Sequence, residues 1–219
     1  MNQEELIAYL AFIVSVFALM NPLAAVPIYL GLTADMEPDA LRRIPFKTAL
    51  AAFVIMVIAF IAGETILLMF SVSIPALRIA GGIVILSMGW SMLQARISRT
   101  RQTSEEAEEA SNRDSIAVIP MAIPVTAGPG AISLMVVAAS YPNAIEGRIA
   151  IILAVLFVCI LLWLFLKSAR TISSVLGRTG MNIVTRIMGL LMLAVGVEYM
   201  ARGLGEMFPG LLNASTVGG

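Results

Sequence analysis

The chain has no histidine and a single cysteine, Cys159, among its 219 residues. The lack of histidine excludes imidazole metal sites and Ser-His or Cys-His catalysis, and a lone cysteine cannot form an intrachain disulfide. Charged residues make up only 13% of the chain. The three aspartates, Asp35, Asp39 and Asp114, fall in predicted loops, which leaves no pair for an intramembrane aspartic protease. We therefore predict that the protein is not an enzyme and uses no metal or cofactor.

Apolar residues are abundant, at 59% of the chain, and the mean hydropathy is +0.95. Because an apolar run of about 20 residues is long enough to cross a bilayer as a helix, the sequence predicts an all-α, polytopic membrane protein. Its partner is then the lipid bilayer, and no nucleic acid is expected. The six candidate spans are 6–33, 45–70, 74–96, 115–140, 145–168 and 182–204.

A charged segment, 97–114, separates two groups of three spans, 1–96 and 115–219. With six spans, the connections after spans one, three and five share one side of the membrane, and they carry most of the basic residues. These are Arg42, Arg43, Lys47, Arg96, Arg99, Arg101, Arg113, Lys167, Arg170, Arg178 and Arg186. The positive-inside rule places that side, including the linker, in the cytoplasm and both termini outside.

The two halves match one another weakly in sequence. Pro22 aligns with Pro129 at an offset of 107, and the Arg-Ile-x-Gly sequences that begin at Arg78 and Arg186 align at an offset of 108. Three spans per half is an odd number, so the second half must enter the membrane from the opposite side. We predict two inverted three-helix repeats, a design that recurs in secondary transporters.

Both halves place a proline inside their first span, after a residue suited to a helix start. Proline lacks an amide hydrogen and is costly within a helix, but it is tolerated at the first position of a new one. We therefore predict broken helices one and four, whose new helices begin at Pro22 and Pro129 and meet near the midplane. Unpaired amides there would favour a carboxylate, and carbonyls that end the preceding half-helices would accept from an amino group. The predicted substrate-binding residues are Asn21, Pro22, Thr126, Gly128, Pro129 and Gly130.

Ionisable residues and glycines within the spans have plainer interpretations. Glu198 and Arg202 lie four residues apart on one helix face and are expected to pair near the interface. Glu64 is expected either at an interface or paired with Arg78. The glycines of spans three and six are interpreted as positions of close helix packing.

Two stretches carry a resemblance to a known family. Residues 21–33, NPLAAVPIYLGLT, and residues 119–133, IPMAIPVTAGPGAIS, resemble the two signatures of the MarC family. The resemblance covers essentially the whole chain and implies an inner-membrane protein related to the SnatA transporters of small neutral amino acids and, more distantly, to LysE-like exporters. Many members have glycine where this chain has Ala24 or Ala25, which narrows the space at that point.

The leading prediction is a secondary transporter of glycine-like or alanine-like amino acids that works by alternating access around a midplane site. A passive channel for small solutes and an exporter of another small metabolite stay open as alternatives. A coupling ion, either proton or sodium, and a homo-oligomer are compatible with the sequence but not specified by it.

Overall fold

The computed structural model describes residues 3–33, 36, 38–94, 126–140 and 145–209. Within these ranges the protein is all-α. Five stretches are long and apolar enough to cross a membrane, namely Leu6–Leu32, Leu41–Met69, Ile74–Leu93, Ile145–Lys167 and Thr179–Met207. The predicted all-α membrane class is confirmed. The fourth predicted span is described only from residue 126, and the linker 97–114 lies outside the described residues.

Seven helices make up the described part of the chain. They are α1 (Gln3–Met20), α2 (Pro22–Leu32), α3 (Pro38–Met69), α4 (Ile74–Leu93), α5 (Pro129–Ala139), α6 (Ile145–Lys167) and α7 (Ala169–Met207). Two helices begin earlier than predicted, because each apolar span is preceded by a more polar stretch that is also helical. Thus α3 begins at Pro38 instead of residue 45, and α7 begins at Ala169 instead of residue 182. Gly177, with φ 62° and ψ −177°, kinks α7 before its apolar part.

Helices α4 and α7 pack so closely that their backbones touch. A Cβ atom added to Gly89 would lie 2.7 Å from the carbonyl oxygen of Gly189, and one on Gly82 would lie 2.9 Å from that of Gly196. Because the higher-numbered glycine of α4 meets the lower-numbered glycine of α7, the two helices are antiparallel. Spacing by seven residues keeps these glycines on one helix face, where small residues permit close approach. The interpretation of these glycines as packing positions is confirmed.

The two short helices that begin with proline lie against this pair from different sides. Helix α2 packs on α7 and α6, whereas α5 packs on α4 and α3, and α3 also packs on α6. If α2, α3 and α4 are exchanged with α5, α6 and α7 respectively, the same set of contacts results. The arrangement supports the inverted repeat, which stays a prediction.

Helix α3 continues past its internal proline, Pro45. Since Pro45 has no amide hydrogen, the carbonyl of Leu41 lacks its usual helical donor. The hydroxyl of Tyr29, on α2, donates to that carbonyl at 3.2 Å. A side chain from a neighbouring helix thus replaces the missing bond and joins α2 to α3.

Two ion pairs lie on α4 and α7. Glu198 accepts from Arg202 at 2.8 Å, and both side chains are exposed, so the predicted pair is confirmed. Arg78, at the start of α4, is buried and pairs with Glu206 near the end of α7. The sequence suggested Glu64 as a partner of Arg78, whereas the structure pairs Arg78 with Glu206. Glu64 itself is exposed on α3, in agreement with the alternative of an interfacial position.

Candidate functional site: two adjacent helix interruptions

The first interruption lies at Asn21, between α1 and α2. Its backbone is left-handed, with φ 46° and ψ 62°. Asparagine adopts this conformation more readily than most residues, and Pro22 then begins the next helix with a φ that suits a first position. The amide of Asn21 still donates to the carbonyl of Phe17 at 2.9 Å, which closes α1. The predicted break in the first span is therefore present.

The side chain of Asn21 makes three contacts. Its Oδ1 accepts from the Ala24 amide at 3.3 Å and so caps α2. Its Nδ2 donates to the Met92 sulfur at 3.3 Å and to the Met192 sulfur at 3.4 Å. Asn21 is only 5% exposed, so these contacts lie inside the bundle. Because a thioether sulfur is a weak acceptor, the two amide hydrogens are poorly satisfied.

The second interruption lies at Ala127 and Gly128. Thr126 is the last helical residue before a bend, and both Thr126 and Ala127 are completely buried. Gly128 is extended, with φ −72° and ψ 173°, and Pro129 begins α5. Gly128, the residue ahead of this helix, has no side chain with which to cap it. The amides in the first turn of a helix point along its axis, and here these include the amides of Gly130 and Ala131.

The two interruptions lie next to one another. A Cβ atom placed on Gly130 would lie 3.7 Å from Cδ2 of Leu19. Leu19 comes two residues before Asn21, and Gly130 comes two residues after Gly128. The starts of α2 and α5 therefore belong to one region of the bundle, as the sequence predicts.

The predicted site residues differ in their surroundings. Asn21, Pro22, Thr126, Gly128 and Gly130 are buried, whereas the ring of Pro129 is exposed. The bare face of Gly130 does not adjoin open space, because a Cβ there would lie 2.6 Å from Cγ1 of Ile85. In this conformation, glycine at position 130 permits close contact with α4. Substrate binding by the six residues stays a prediction.

Nothing in the sequence indicates that Met92 and Met192 belong to the site. A methionine in an apolar span is expected to be a packing residue, and only the fold shows that these two sulfurs reach one amide. A second contact also went unforeseen: the hydroxyl of Tyr199 donates to the Ser133 carbonyl at 3.2 Å and joins α7 to α5. Neither residue pair lies at a spacing that would reveal it in the sequence.

Together, these features define the class of membrane protein to which the chain belongs. The protein is a polytopic α-helical membrane protein whose bundle contains two short helices that begin with proline and whose starts are adjacent.

The particular family follows from comparison with known proteins. Residues 6–208 match the model of the MarC family of integral membrane proteins, and the chain belongs to that family. The resemblance of the two motifs is thereby confirmed.

Several curated relatives align over nearly their whole length. The chain is 35% identical over 205 residues to the UPF0056 membrane protein YhcE of Escherichia coli K12, covering 94% of this chain and 95% of that protein. It is 35% identical over 201 residues to the UPF0056 membrane protein YvbG of Bacillus subtilis, covering 91% and 95%. It is 32% identical over 206 residues to the UPF0056 inner membrane protein MarC of Salmonella paratyphi A, covering 89% and 93%. No solved structure matches the chain.

Proposed function

We propose that the protein is a secondary transporter of small neutral amino acids, such as glycine or alanine, that works by alternating access. The observation that supports this most is the adjacency of the two helix interruptions, which brings polar main chain from both halves to one place. Polar backbone at membrane depth is tolerated only where it is buried in protein or lines a water-filled cavity. In a transporter, this polar backbone would bind a polar substrate during its passage through the membrane.

The start of α5 is suited to a carboxylate. The amides of Gly130 and Ala131 lie in its first turn and point along the helix axis, and the helix dipole adds about half a positive charge there. Across the site, Nδ2 of Asn21 offers two further hydrogens that now meet only sulfur. A carboxylate between these groups would accept from both halves of the chain.

The end of α1 is suited to the amino group of the same molecule. Pro22 has no amide hydrogen for the carbonyl of Ala18, and the Ala24 amide donates to Asn21 Oδ1 instead of serving the Met20 carbonyl. An ammonium group can donate to both carbonyls. The zwitterion of an amino acid supplies the acceptor and the donors in one small molecule.

The close packing around the site supports a small side chain. Ile85 and Leu19 press on Gly130 from α4 and α1, and Ile85 is fully buried. Glycine and alanine would displace less of this packing than a larger amino acid would. The names of the relatives describe only membrane proteins, so the substrate is part of our proposal.

The proposal also includes the membrane in which the protein lies and its orientation there. The Salmonella relative is named an inner membrane protein, and we place this chain in the inner membrane with both termini on the extracytoplasmic side. Reporter fusions at the two termini and in the 97–114 linker test this arrangement. Activity of a cytoplasm-dependent reporter at either terminus would contradict it.

Counterflow in liposomes tests the function. Purified protein is reconstituted into vesicles loaded with unlabelled glycine, and uptake of labelled glycine or alanine is followed with and without sodium and at several pH values. A transporter should show transient accumulation that saturates and is competed by related amino acids. Accumulation that never exceeds equilibration, with a rate linear in concentration, would indicate a channel, and no flux for any amino acid would contradict the proposal.

A further inference from the structure

Asn21 joins three helices through one side-chain nitrogen. Its Nδ2 contacts the sulfur of Met92, on α4, and the sulfur of Met192, on α7. Met192 is completely buried, and Asn21 nearly so. Within the described part of the chain, the acceptors that the two amide hydrogens meet are thioethers.

These contacts are weak ones for a buried amide. Burying a polar group without a good partner is unfavourable, and sulfur satisfies an N–H far less well than oxygen does. A carboxylate oxygen, in contrast, makes a short, charge-assisted bond. A ligand carboxylate that reached Nδ2 would replace both sulfurs with a gain in free energy.

Methionine is the residue that can make way most easily. Its side chain is unbranched and has three rotatable bonds, so it adopts another rotamer without movement of its helix. Both methionines also stand on helices that are held together along their length, since the backbones of α4 and α7 touch at Gly89 and Gly189. The Asn21 contacts therefore connect the interruption between α1 and α2 to one joined pair of helices.

We propose that Met92 and Met192 form a latch that closes the empty site and that the carboxylate of the substrate displaces. This inference rests on the proposed function, which it deepens by naming two residues that set affinity and the ligand group that releases them. While the site is empty, the sulfurs hold the start of α2 against the α4–α7 pair. When a carboxylate takes Nδ2, that connection opens and α2 becomes free to move relative to the pair. An amine without a carboxylate does not release it.

Replacing these methionines by leucine or by glutamine should change the affinity for glycine in opposite directions. Met92→Leu and Met192→Leu remove the competing acceptor while keeping an apolar side chain of similar volume. We expect glycine to bind about threefold more tightly to each and about tenfold more tightly to the double variant. Met92→Gln introduces a strong oxygen acceptor at the less buried position and should weaken glycine binding by about tenfold. Met56→Leu, a fully buried methionine of α3, is the matched control and should bind as the original chain does.

Binding is measured as the concentration dependence of thermal stabilisation by glycine, alanine and methylamine in detergent. Unchanged or weaker binding by both leucine variants would overturn the latch while leaving the transporter proposal intact, provided that the original chain binds glycine. Stabilisation by methylamine equal to that by glycine would also overturn it. If the original chain binds no amino acid, both proposals fail together.

A measurement without ligand guards against variants that alter folding alone. The melting temperatures of Asn21→Gly, the double leucine variant and their combination form a double-mutant cycle. Because both changes remove the same contacts, we expect the combined variant to melt higher than the sum of the separate shifts predicts. Additive shifts would show that the sulfurs do not hold Asn21, and the latch would be rejected.

Discussion

Both interruptions continue into a helix that begins with proline, but the backbone conformation and the capping at the two differ. At Asn21 the chain turns through a left-handed residue whose own side chain caps the next helix. At Gly128 the chain is extended, and Gly128 has no side chain to cap the next helix. The residue at the first interruption thus caps the helix that follows it, whereas the residue at the second does not. Within the proposed function, we therefore assign the substrate carboxylate chiefly to the start of α5 and a side-chain contact to Asn21.

A third proline shows what a break requires. Pro45 lies inside α3, but that helix continues because Tyr29 donates to the carbonyl that Pro45 leaves without a donor. Proline alone therefore does not determine an interruption. At Asn21 the additional determinant is a residue that tolerates positive φ, whereas the backbone at Gly128 is extended and does not require a particular residue.

The largest effect is expected for Gly128→Asp. The extended backbone at Gly128 accepts any L residue, and an aspartate there would cap α5 with a carboxylate that is tethered where the substrate's would bind. We expect a higher melting temperature and a loss of glycine affinity of about a hundredfold, because a tethered group acts at high effective concentration. Thermal shift titration measures both. Gly128→Ala is the control, and equal affinity in the two variants would show that the start of α5 is not the anion site.

Gly130→Ala should destabilise the protein by about 1–3 kcal/mol, the usual cost of overpacking. The new Cβ would lie 2.6 Å from Ile85, which is completely buried and cannot easily move. Gly31→Ala on α2 is the matched control, since a Cβ there meets nothing within 4 Å. Denaturation in mild detergent compares the two. Equal stability would mean that the α4–α5 contact at Gly130 is looser than described.

The substitutions Asn21→Gly and Asn21→Ala should differ in their effect on stability. Asn21→Gly keeps the left-handed backbone without strain and loses the side chain, whereas Asn21→Ala adds the penalty of about 1 kcal/mol for a Cβ in that conformation. We expect alanine to be the less stable variant by about that amount, and both to bind glycine more weakly. Gly128→Ala should show no corresponding strain. If Asn21→Ala were as stable as Asn21→Gly, the left-handed turn would not be the basis of the first break.

The smallest effect concerns Tyr29→Phe, which removes the donor to the Leu41 carbonyl. The expected loss is about 1 kcal/mol, typical of one buried hydrogen bond. In a Pro45→Ala background the helix supplies its own donor, and the same substitution should cost much less. If Tyr29→Phe cost the same stability in both backgrounds, the role of the Tyr29 hydrogen bond would not depend on Pro45. The double-mutant cycle by thermal unfolding distinguishes the two results.

Much of this arrangement could be predicted from local sequence, because it depends on single residues with strong conformational preferences. Pro22 and Pro129 predicted the starts of both short helices, and apolar runs predicted the described spans. The glycines of spans three and six predicted close packing, but they did not identify one another as partners. Register between helices depends on tertiary fit, which no single residue encodes.

The parts that could not be predicted involve residues whose role depends on a distant neighbour. Met92 and Met192 look like any apolar residue until the fold brings them to Asn21. Glu206 lies 128 residues from Arg78 along the chain, and nothing local indicates their pairing. The contact between Gly130 and Ile85 likewise depends on the fold and is not visible in the sequence. Helices α3 and α7 begin earlier than predicted because hydropathy alone does not detect a polar helical extension.

The most direct test is an experimental structure of the protein crystallised with glycine. We predict helices interrupted at Asn21 and Gly128, with the ligand carboxylate within hydrogen-bond distance of Asn21 Nδ2 and of the Gly130 or Ala131 amide. A continuous helix through Pro22 and Pro129, or glycine bound at a place that touches neither interruption, would contradict it.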